Sequence, residues 1–263
     1  MYEFEFARPT TLAEAKAALA EEDAQALAGG QTLIPSLKAR LAMPSTLVSL
    51  SGIPEIKGVC IDDEGRVCIG GGTTHATVAR EAAAHYPALA SLAGRIGDPA
   101  VRSRGTIGGS LANNDPSACY PPAALGSGAL IITDSREIAA DDFFAGMFET
   151  ALEEGEIITE VRFPVPERAR YEKFAQPASR FPLVAVFAAK YADGARVAVT
   201  GASEEGVFRW TAAEEALSSD WSVEAVEELK AEADGMIGDI HASPEYRAHL
   251  IGVMTRRAVA ATL

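Results

Sequence analysis

The chain has 263 residues, of which 48% are hydrophobic and 23% charged, and its formal net charge at pH 7 is −14. This length and composition predict one large or two modest globular domains with a buried core. The negative charge argues against nucleic acid as a partner, because phosphate backbones are bound by clustered lysines and arginines.

The amino terminus and the cysteines predict a reducing, cytoplasmic setting. The first residues, MYEFEFARPTTLAEA, lack a basic start followed by an apolar core, so no signal peptide is expected. No apolar run approaches the roughly 20 residues that a membrane-spanning helix requires. The three cysteines, Cys60, Cys68 and Cys119, include no CxxC pair and cannot supply the four thiolates of an ordinary iron–sulfur cluster.

The first 50 residues alternate helical and extended patterns. A capping box at Thr11-Leu12-Ala13-Glu14 predicts the start of a helix. The short apolar stretch Ala26-Leu27-Ala28 leads into Gly29-Gly30-Gln31-Thr32. A helical segment is then expected from Ser36 to Leu41, and a strand from Thr46 to Leu50.

The middle of the chain combines hairpins and helices. The predicted elements are a hairpin (59–61 with 67–69), two helices (77–84 and 87–95), a second hairpin (129–133 with 136–139) and a strand (156–163). The mixture lacks regular β-α-β alternation, which indicates the α+β class.

A change of pattern near Pro164-Val165-Pro166 predicts a domain boundary. Beyond it, three extended runs form a predicted meander that turns at Asp193-Gly194. Ser243 and Pro244 are typical of the N-cap and first position of a helix, which is expected to run from Glu245 to about Ala260.

Two glycine-centred loops carry the chemistry that the residues themselves indicate. Paired glycines in Ala28-Gly29-Gly30-Gln31-Thr32 let the backbone approach a ligand and turn its N–H groups toward it. Thr106-Ile107-Gly108-Gly109-Ser110 repeats this arrangement of hydroxyls around two glycines. If the two loops meet in space, they suit a pyrophosphate, because neutral donors can satisfy both of its negative charges.

Other signatures are absent or weak. Neither loop matches GxGxxG or the P-loop, and no serine lies in a GxSxG context. Gly29-Gly30-Gln31 spells a release-factor tripeptide, but an acidic chain has no surface for ribosomal RNA. Gly70-Gly71-Gly72 is interpreted as the end of a strand. His75, His85, His241 and His249 have no metal-ligand spacing, so no metal site is expected, and His241 and His249 are interpreted as capping or surface residues.

The second loop lies within a stretch that resembles a known family. The stretch IGDPAVRSRGTIGGSLANNDP, from Ile96 to Pro116, closely resembles the FAD-binding medium subunit of molybdenum hydroxylases. Within that family it looks most like the carbon monoxide dehydrogenase medium chain, with the xanthine dehydrogenase flavin subunit as a relative. The resemblance covers the full length, since the first loop, residues 141–161 and residues 239–250 also match it.

The resemblance implies a fold and a cofactor. It implies a flavin domain of the vanillyl-alcohol-oxidase (PCMH) type over residues 1–165, with subdomains of about 1–55 and 56–165 and FAD between them. A small α+β domain of the carbon monoxide dehydrogenase flavoprotein type would follow over residues 166–263. The cofactor-binding residues that it implies are Leu27, Ala28, Gly29, Gly30, Gln31, Thr32, Leu33, Ile34, Thr106, Ile107, Gly108, Gly109, Ser110, Asn113, Asp115, Ile158 and Lys173.

Two positions depart from the family pattern. Cys119 stands where the family usually has an aspartate in contact with FAD, so that contact is lost or supplied elsewhere. Arg180 stands where many members have an acidic residue. For Lys173, a solvated strand lysine is as good an interpretation as a flavin contact.

The implied function is electron transfer within a complex. Electrons from substrate oxidation in a molybdopterin-containing large subunit would reach this chain through the [2Fe–2S] clusters of a small subunit, and would leave to NAD, a quinone or oxygen. No residue need act as an acid or base on the substrate, so no catalytic residue is assigned. Two alternatives are a self-contained FAD-dependent oxidoreductase and a non-redox scaffold that has lost FAD. Cys119 favours the scaffold, and the two intact glycine loops oppose it.

Overall fold

The first elements of the chain form a small parallel sheet. The computed structural model describes residues 1–263. The strands are β1 (Glu5–Ala7), β2 (Ala24–Leu27) and β3 (Thr46–Ser49), in the order β1-β3-β2. Helices α1 (Leu12–Leu19) and α2 (Leu33–Lys38) connect them, and two 3₁₀ turns (Leu50–Gly52 and Pro54–Ile56) follow β3. The connections contain helices because parallel strands cannot be joined by a tight turn.

The start of α1 confirms the predicted cap, and the start of α2 differs from the prediction. The Thr11 hydroxyl accepts a hydrogen bond of 3.2 Å from the N–H of Glu14. The Glu14 carboxylate turns back to the N–H of Thr10 at 2.7 Å, one residue earlier than a capping box predicts. Helix α2 begins at Leu33 instead of Ser36. Pro35 fits its first turn, because an N–H there would have no partner within the helix.

The middle of the chain forms an antiparallel sheet. Its strands are β4 (Val59–Ile61), β5 (Val67–Gly70), β6 (Leu130–Thr133), β7 (Glu137–Ala139), β8 (Phe144–Gly146), β9 (Glu149–Thr150) and β10 (Ile158–Phe163). Five of them pair in the order β4-β5-β10-β6-β7, while β8 and β9 form a separate ribbon. Both predicted hairpins are confirmed: Cys60 pairs with Cys68, and Ile131 pairs with Ile138.

Six helices belong to this middle part. They are α3 (His75–Glu81), α4 (Pro87–Gly94), α5 (Pro99–Arg102), α6 (Ile107–Asn113), α7 (Tyr120–Ser127) and α8 (Ala140–Phe143). Helix α6 was not predicted, because paired glycines at Gly108-Gly109 favour a loop. It forms because Thr106 caps its start and because Ile107 and Leu111 are completely buried on one face.

The last third of the chain is the predicted meander followed by helices. Strands β11 (Arg168–Ala175), β12 (Pro182–Tyr191), β13 (Gly194–Ser203) and β14 (Gly206–Arg209) pair in sequence order. Helix α9 (Thr211–Ser219), a 3₁₀ turn (Glu224–Val226) and helix α10 (Pro244–Ala260) complete the chain. The predicted cap of α10 is confirmed, since the Ser243 hydroxyl accepts from the N–H of Tyr246 at 3.3 Å.

Strand β12 joins two hydrophobic cores. Ala185 and Phe187 belong to the core that includes Tyr86 and other side chains of the middle part. Val184 and Val186 point the opposite way, into the core that α10 covers. The middle sheet and the last sheet therefore share packed side chains, which fixes the ends of β11 and β12 relative to the middle helices.

The architecture as a whole is α+β, as predicted. None of the ten α-helices combines the length and apolar character that crossing a membrane demands.

Candidate functional site

A cavity of about 860 Å³ lies where the three sheets and their connections meet. This volume is in the range of about 300–1,000 Å³ that is typical of cofactor and ligand sites. Fourteen of the residues that the sequence assigns to a cofactor line it: Leu27, Ala28, Gly29, Gly30, Gln31, Thr32, Leu33, Thr106, Gly108, Gly109, Ser110, Asn113, Asp115 and Ile158.

Three other assigned residues lie outside its wall. Ile107 is completely buried in the core beneath α6. Ile34 lines a smaller cavity of about 360 Å³, which Gly29 and Gly30 also line. Lys173 lies behind Cys119, which is part of the wall.

The first glycine loop presents unused backbone donors. The N–H groups of the five residues from Gly29 to Leu33 donate no hydrogen bond within the chain. Gly30 has a φ of +71°, a left-handed conformation that favours glycine. Successive N–H groups without partners form a concave surface that suits an anion.

The two loops meet, as the pyrophosphate hypothesis requires. A Cβ atom added to Gly29 would lie 2.2 Å from the carbonyl oxygen of Arg104, and one added to Gly109 would lie 3.3 Å from the Cβ atom of Ala28. Gly29 is thus required for contact between two backbone segments. From the sequence alone, the expected role of Gly29 is close approach of the backbone to a ligand.

Most backbone N–H groups of the second loop already donate hydrogen bonds within the chain. The N–H of Ile107 bonds the Thr73 carbonyl at 3.1 Å, and the N–H of Gly108 bonds the Gly71 carbonyl at 2.8 Å. The Thr106 hydroxyl accepts from the N–H of Gly109 at 3.2 Å. What this loop offers to the cavity is the Ser110 hydroxyl, which has no hydrogen bond within the chain. The two loops are therefore unequal, and the first one supplies the N–H groups.

The glycines after β5 also belong to the site. Gly70 ends β5 as expected, but Gly71 and Gly72 line the cavity. A Cβ atom on Gly71 would lie 2.1 Å from the carbonyl oxygen of Ile158. The run of three consecutive glycines could have indicated these cavity residues, since the end of a strand needs only one glycine.

His75 is a site residue that sequence reasoning missed. It lines the cavity although only 5% of its surface is exposed, and its Nδ1 atom is buried without a hydrogen-bond partner. Its ring lies 5.3 Å from that of Tyr120, centroid to centroid. Burial, with a smaller contribution from the positive charge of Arg102, lowers the pKa of His75 to about 4. The imidazole is therefore neutral at pH 7 and has one N–H to donate.

Lys173 and Cys119 form a buried contact behind the cavity. Lys173 is only 8% exposed. Its Nζ atom donates to the Arg95 carbonyl at 2.8 Å and contacts the Cys119 Sγ at 3.6 Å. Burial lowers the pKa of Lys173. No carboxylate forms a salt bridge with it. The interpretation of Lys173 as a solvated strand lysine is wrong, because its side chain is buried against Arg95 and Cys119.

Residues of the last third of the chain close one side of the cavity. Arg180, with a φ of +63°, and Phe181 come from the β11–β12 connection. His241 faces Phe181 with ring centroids 5.5 Å apart, so it is a cavity residue as well as an exposed one. The buried Arg247 guanidinium fixes this region by donating to the Asp239 carboxylate at 2.7 Å.

Asp239 is ionised in this arrangement. Burial opposes ionisation, but the N–H groups of His241 and Ala242 and the Arg247 guanidinium hold the pKa of Asp239 below its ordinary value. The wall therefore carries a negative charge beside His241, across from the neutral donors of the first loop.

Fold and cavity together describe an α+β protein with a large cavity that is lined in part by backbone N–H groups without partners. Comparison with known proteins specifies the class. A model of the family described as FAD binding domain in molybdopterin dehydrogenase matches residues 2–166. The chain belongs to this family of FAD-binding subunits of molybdenum hydroxylases, which confirms the resemblance seen in the sequence.

Individual relatives span nearly the whole chain. It is 35% identical to the nicotine 6-hydroxylase medium subunit of Paenarthrobacter nicotinovorans, over 97% of this chain and 95% of that protein. It is 34% identical to the carbon monoxide dehydrogenase medium chain of Afipia carboxidovorans, over the same shares. Among solved structures, reconstituted CO dehydrogenase from Oligotropha carboxidovorans has a chain that matches with a TM-score of 0.91 and 32% identity, covering 99% of this chain and 98% of that one.

Proposed function

We propose that this chain holds FAD in the 860 Å³ cavity and transfers electrons from the [2Fe–2S] clusters of a small partner subunit to an external acceptor. FAD suits such a junction because it can take up electrons singly and release them as a pair. The observation that carries the proposal is the run of unpaired N–H groups from Gly29 to Leu33, held against the second loop at one end of the cavity.

The pyrophosphate would bind between the two loops. The N–H groups of residues 29–33 and the hydroxyls of Thr32 and Ser110 are free to donate. Hydrogen bonds from neutral donors to charged oxygens each contribute about 1.5–3 kcal/mol, so several of them compensate for the absence of a lysine or arginine. The acidic net charge of the chain does not oppose this binding, since the donors act at short range.

The remaining wall would orient the rest of the cofactor. The Asn113 side chain has no hydrogen bond within the chain, and Asp115 keeps one carboxylate oxygen free while the other accepts from the N–H of Ser117. We place both near the adenosine or ribityl part. The neutral His75 can donate one hydrogen bond, and Ile158 adds apolar surface.

Lys173 would act on the flavin through the wall instead of touching it. Its ammonium group has no carboxylate partner, and only the Cys119 side chain separates it from the cavity. Because the surroundings are buried, its positive charge is weakly screened and favours any negative charge that arises in the cavity.

The partners we propose are a small [2Fe–2S] subunit and a molybdopterin-containing large subunit. The relatives named above are a medium subunit and a medium chain, names that imply smaller and larger companions. The three cysteines here are too few for a cluster of the ordinary four-thiolate type. Substrate oxidation would therefore take place on another subunit, and no residue of this chain is assigned to it.

We also propose that residues 1–165 form the FAD-binding domain, with subdomains of about 1–55 and 56–165, and that residues 166–263 form the second domain. Each of the three main sheets lies within one of these ranges, which supports the division.

The test is to purify the chain, add FAD, remove free cofactor and count the flavin released on denaturation. We expect about one FAD per chain, and loss of FAD in the double variant Thr32→Ala/Ser110→Ala. Ser91→Ala, an exposed serine on α4, is the matched control and should retain FAD.

Electron transfer is tested separately. Reduction of the FAD-loaded chain by its reduced small iron–sulfur partner, followed spectroscopically, supports the subunit assignment. Reduction of the isolated chain by an organic substrate would instead favour the self-contained oxidoreductase. A purified complex that contains no flavin would refute the electron-transfer function and leave the scaffold.

A further inference from the structure

Two cysteines and a glutamate meet on the outer face of the five-stranded sheet. Cys60 on β4 is paired directly with Cys68 on β5, and Glu160 lies on β10, the next strand. The two sulfur atoms and a carboxylate oxygen of Glu160 all lie within 4.8 Å of one another. Val67 and Ile69 point into the core, so Cys68 between them faces the opposite side of the sheet.

The surroundings of the two thiols are rich in electron-pair donors. The Cys68 Sγ lies 3.6 Å from the Asp62 carboxylate and 3.8 Å from the Arg66 carbonyl oxygen. The nearby cations are engaged with carboxylates: Arg66 pairs with Asp62 at 2.7 Å, and Arg162 pairs with Glu160 at 2.6 Å.

The Glu160 carboxylate has one oxygen to spare. Its Oε1 atom accepts from Arg162, and its other oxygen accepts no hydrogen bond within the chain. Asp62 has no such freedom, since its two oxygens accept from the N–H groups of Glu64 and Arg66 and from the Arg66 guanidinium. The available donor set is therefore two sulfurs and one carboxylate oxygen.

We propose that Cys60, Cys68 and Glu160 bind a zinc ion, with water as the fourth ligand. Thiolates favour Zn²⁺ over the hard cations Mg²⁺ and Ca²⁺. Zn–S bonds of about 2.3 Å in a tetrahedral site place two sulfurs roughly 3.8 Å apart, which the observed spacing accommodates. Binding releases one proton from each thiol to solvent and involves no change of oxidation state.

The position of the site indicates how a zinc ion would enter it and which strands the ion would join. Cys60 is exposed while Cys68 is buried, so an ion can enter from solvent and be held partly out of it. The ion would join β4, β5 and β10 across one face of the sheet. This site could not be predicted from the sequence, because seven residues separate the two cysteines and more than ninety separate Cys68 from Glu160. Only the strand pairing brings the ligands together.

The site is tested with the full-length chain, whether or not it retains FAD, under anaerobic conditions with a phosphine reductant that does not bind metal. After treatment with a chelator, Zn²⁺ is titrated against a chromophoric competitor, and the bound metal is counted by elemental analysis. Co²⁺ replaces Zn²⁺ in a second titration, because a thiolate-to-cobalt absorption band reports sulfur ligation directly, as a difference from the flavin spectrum.

We expect one Zn²⁺ per chain in the wild type and in Ser91→Ala, the control at an exposed serine outside both sites. Cys60→Ser should weaken binding by about a hundredfold or more and reduce the cobalt–thiolate band, since one of its two sulfur ligands is lost, and Glu160→Gln should weaken binding by about tenfold. Circular dichroism checks that each variant is folded.

Three outcomes would overturn the proposal. They are failure of the folded, reduced wild type to bind zinc, equally tight binding by Cys60→Ser, and a Cys60–Cys68 disulfide in protein isolated without exposure to air. The flavin content of the same samples does not enter this test, so the zinc site and the proposed function can fail independently.

Discussion

Replacement of Gly29 by alanine tests whether contact between the two glycine loops creates the cofactor site. The new methyl group would lie 2.2 Å from the Arg104 carbonyl oxygen and 2.6 Å from the Gly105 Cα atom. Ordinary carbon–oxygen contacts are about 3.3 Å or longer, so the loops must separate by about 1 Å. The atoms in conflict belong to the backbone, which cannot yield as a flexible side chain would.

The magnitude follows from the donors that this separation displaces. A shift of 1 Å removes at least one N–H group of residues 29–33 from hydrogen-bonding distance of a pyrophosphate held by the second loop. One such bond to a charged oxygen contributes about 1.5–3 kcal/mol, so the FAD dissociation constant should rise about ten- to hundredfold. Relief of the overlap should also cost about 1–3 kcal/mol of folding stability.

The assay is titration of the cofactor-free chain with FAD, followed by flavin fluorescence, with urea unfolding in parallel. Gly94→Ala is the matched control, because a methyl group there meets only the Cβ atom of Ala79, at 3.9 Å. If folded Gly29→Ala binds FAD as tightly as Gly94→Ala, the contact between the loops does not determine the site.

Three further predictions follow from buried charged and titratable groups. Arg247→Leu leaves the carbonyls of Leu183 and Gly201 and the Asp239 carboxylate without their donor, and should lower the free energy of unfolding by about 2–4 kcal/mol; a loss below 1 kcal/mol in urea unfolding would contradict this. The folded pKa of His75, about 4, is below its unfolded value, so its contribution is present above pH 6.5 and is lost as the pH falls toward 4. Between pH 7 and pH 4.5 the wild type should lose about 2–3 kcal/mol more stability than His75→Asn, and equal losses in the two proteins would count against a buried neutral imidazole. Lys173→Met removes the unpaired ammonium behind the cavity and should lower the reduction potential of bound flavin, measured by dye-coupled titration, whereas an unchanged potential would show that Lys173 does not act on the cofactor.

Local signals in the sequence predicted much of the fold. The caps at Thr11 and Ser243 depend on neighbouring residues, and the structure has both where predicted. The predicted turn at Asp193-Gly194 lies one residue earlier, at Ala192-Asp193, because Gly194 already pairs with Tyr191. The hairpin in which Cys60 pairs with Cys68 also depends on residues close in the sequence, and it was predicted as well. The two glycine segments by themselves indicated a pyrophosphate, and the assignment of FAD came from the resemblance of longer stretches to a known family.

Features that depend on distant partners could not be predicted in this way. His75 reaches the cavity because the backbone of Gly105 passes beside its ring, a contact between residues thirty positions apart. The hydrogen bond from the Gly108 N–H to the Gly71 carbonyl also joins residues that are far apart in the sequence. The sequence therefore suggested two equivalent loops, although only the first has a run of N–H groups without partners.

The burial of β12 on both faces has a consequence for folding. Phe187 packs edge-on against Tyr86 with ring centroids 6.2 Å apart, so β12 completes the core around the middle helices. A chain that ends after residue 165 would expose this apolar surface to water and should be unstable. Unfolding of the whole chain is then expected to be a single cooperative transition, with the cavity present only in molecules whose last strands have already docked. Loading with the cofactor would accordingly report that β12 has docked onto the middle helices.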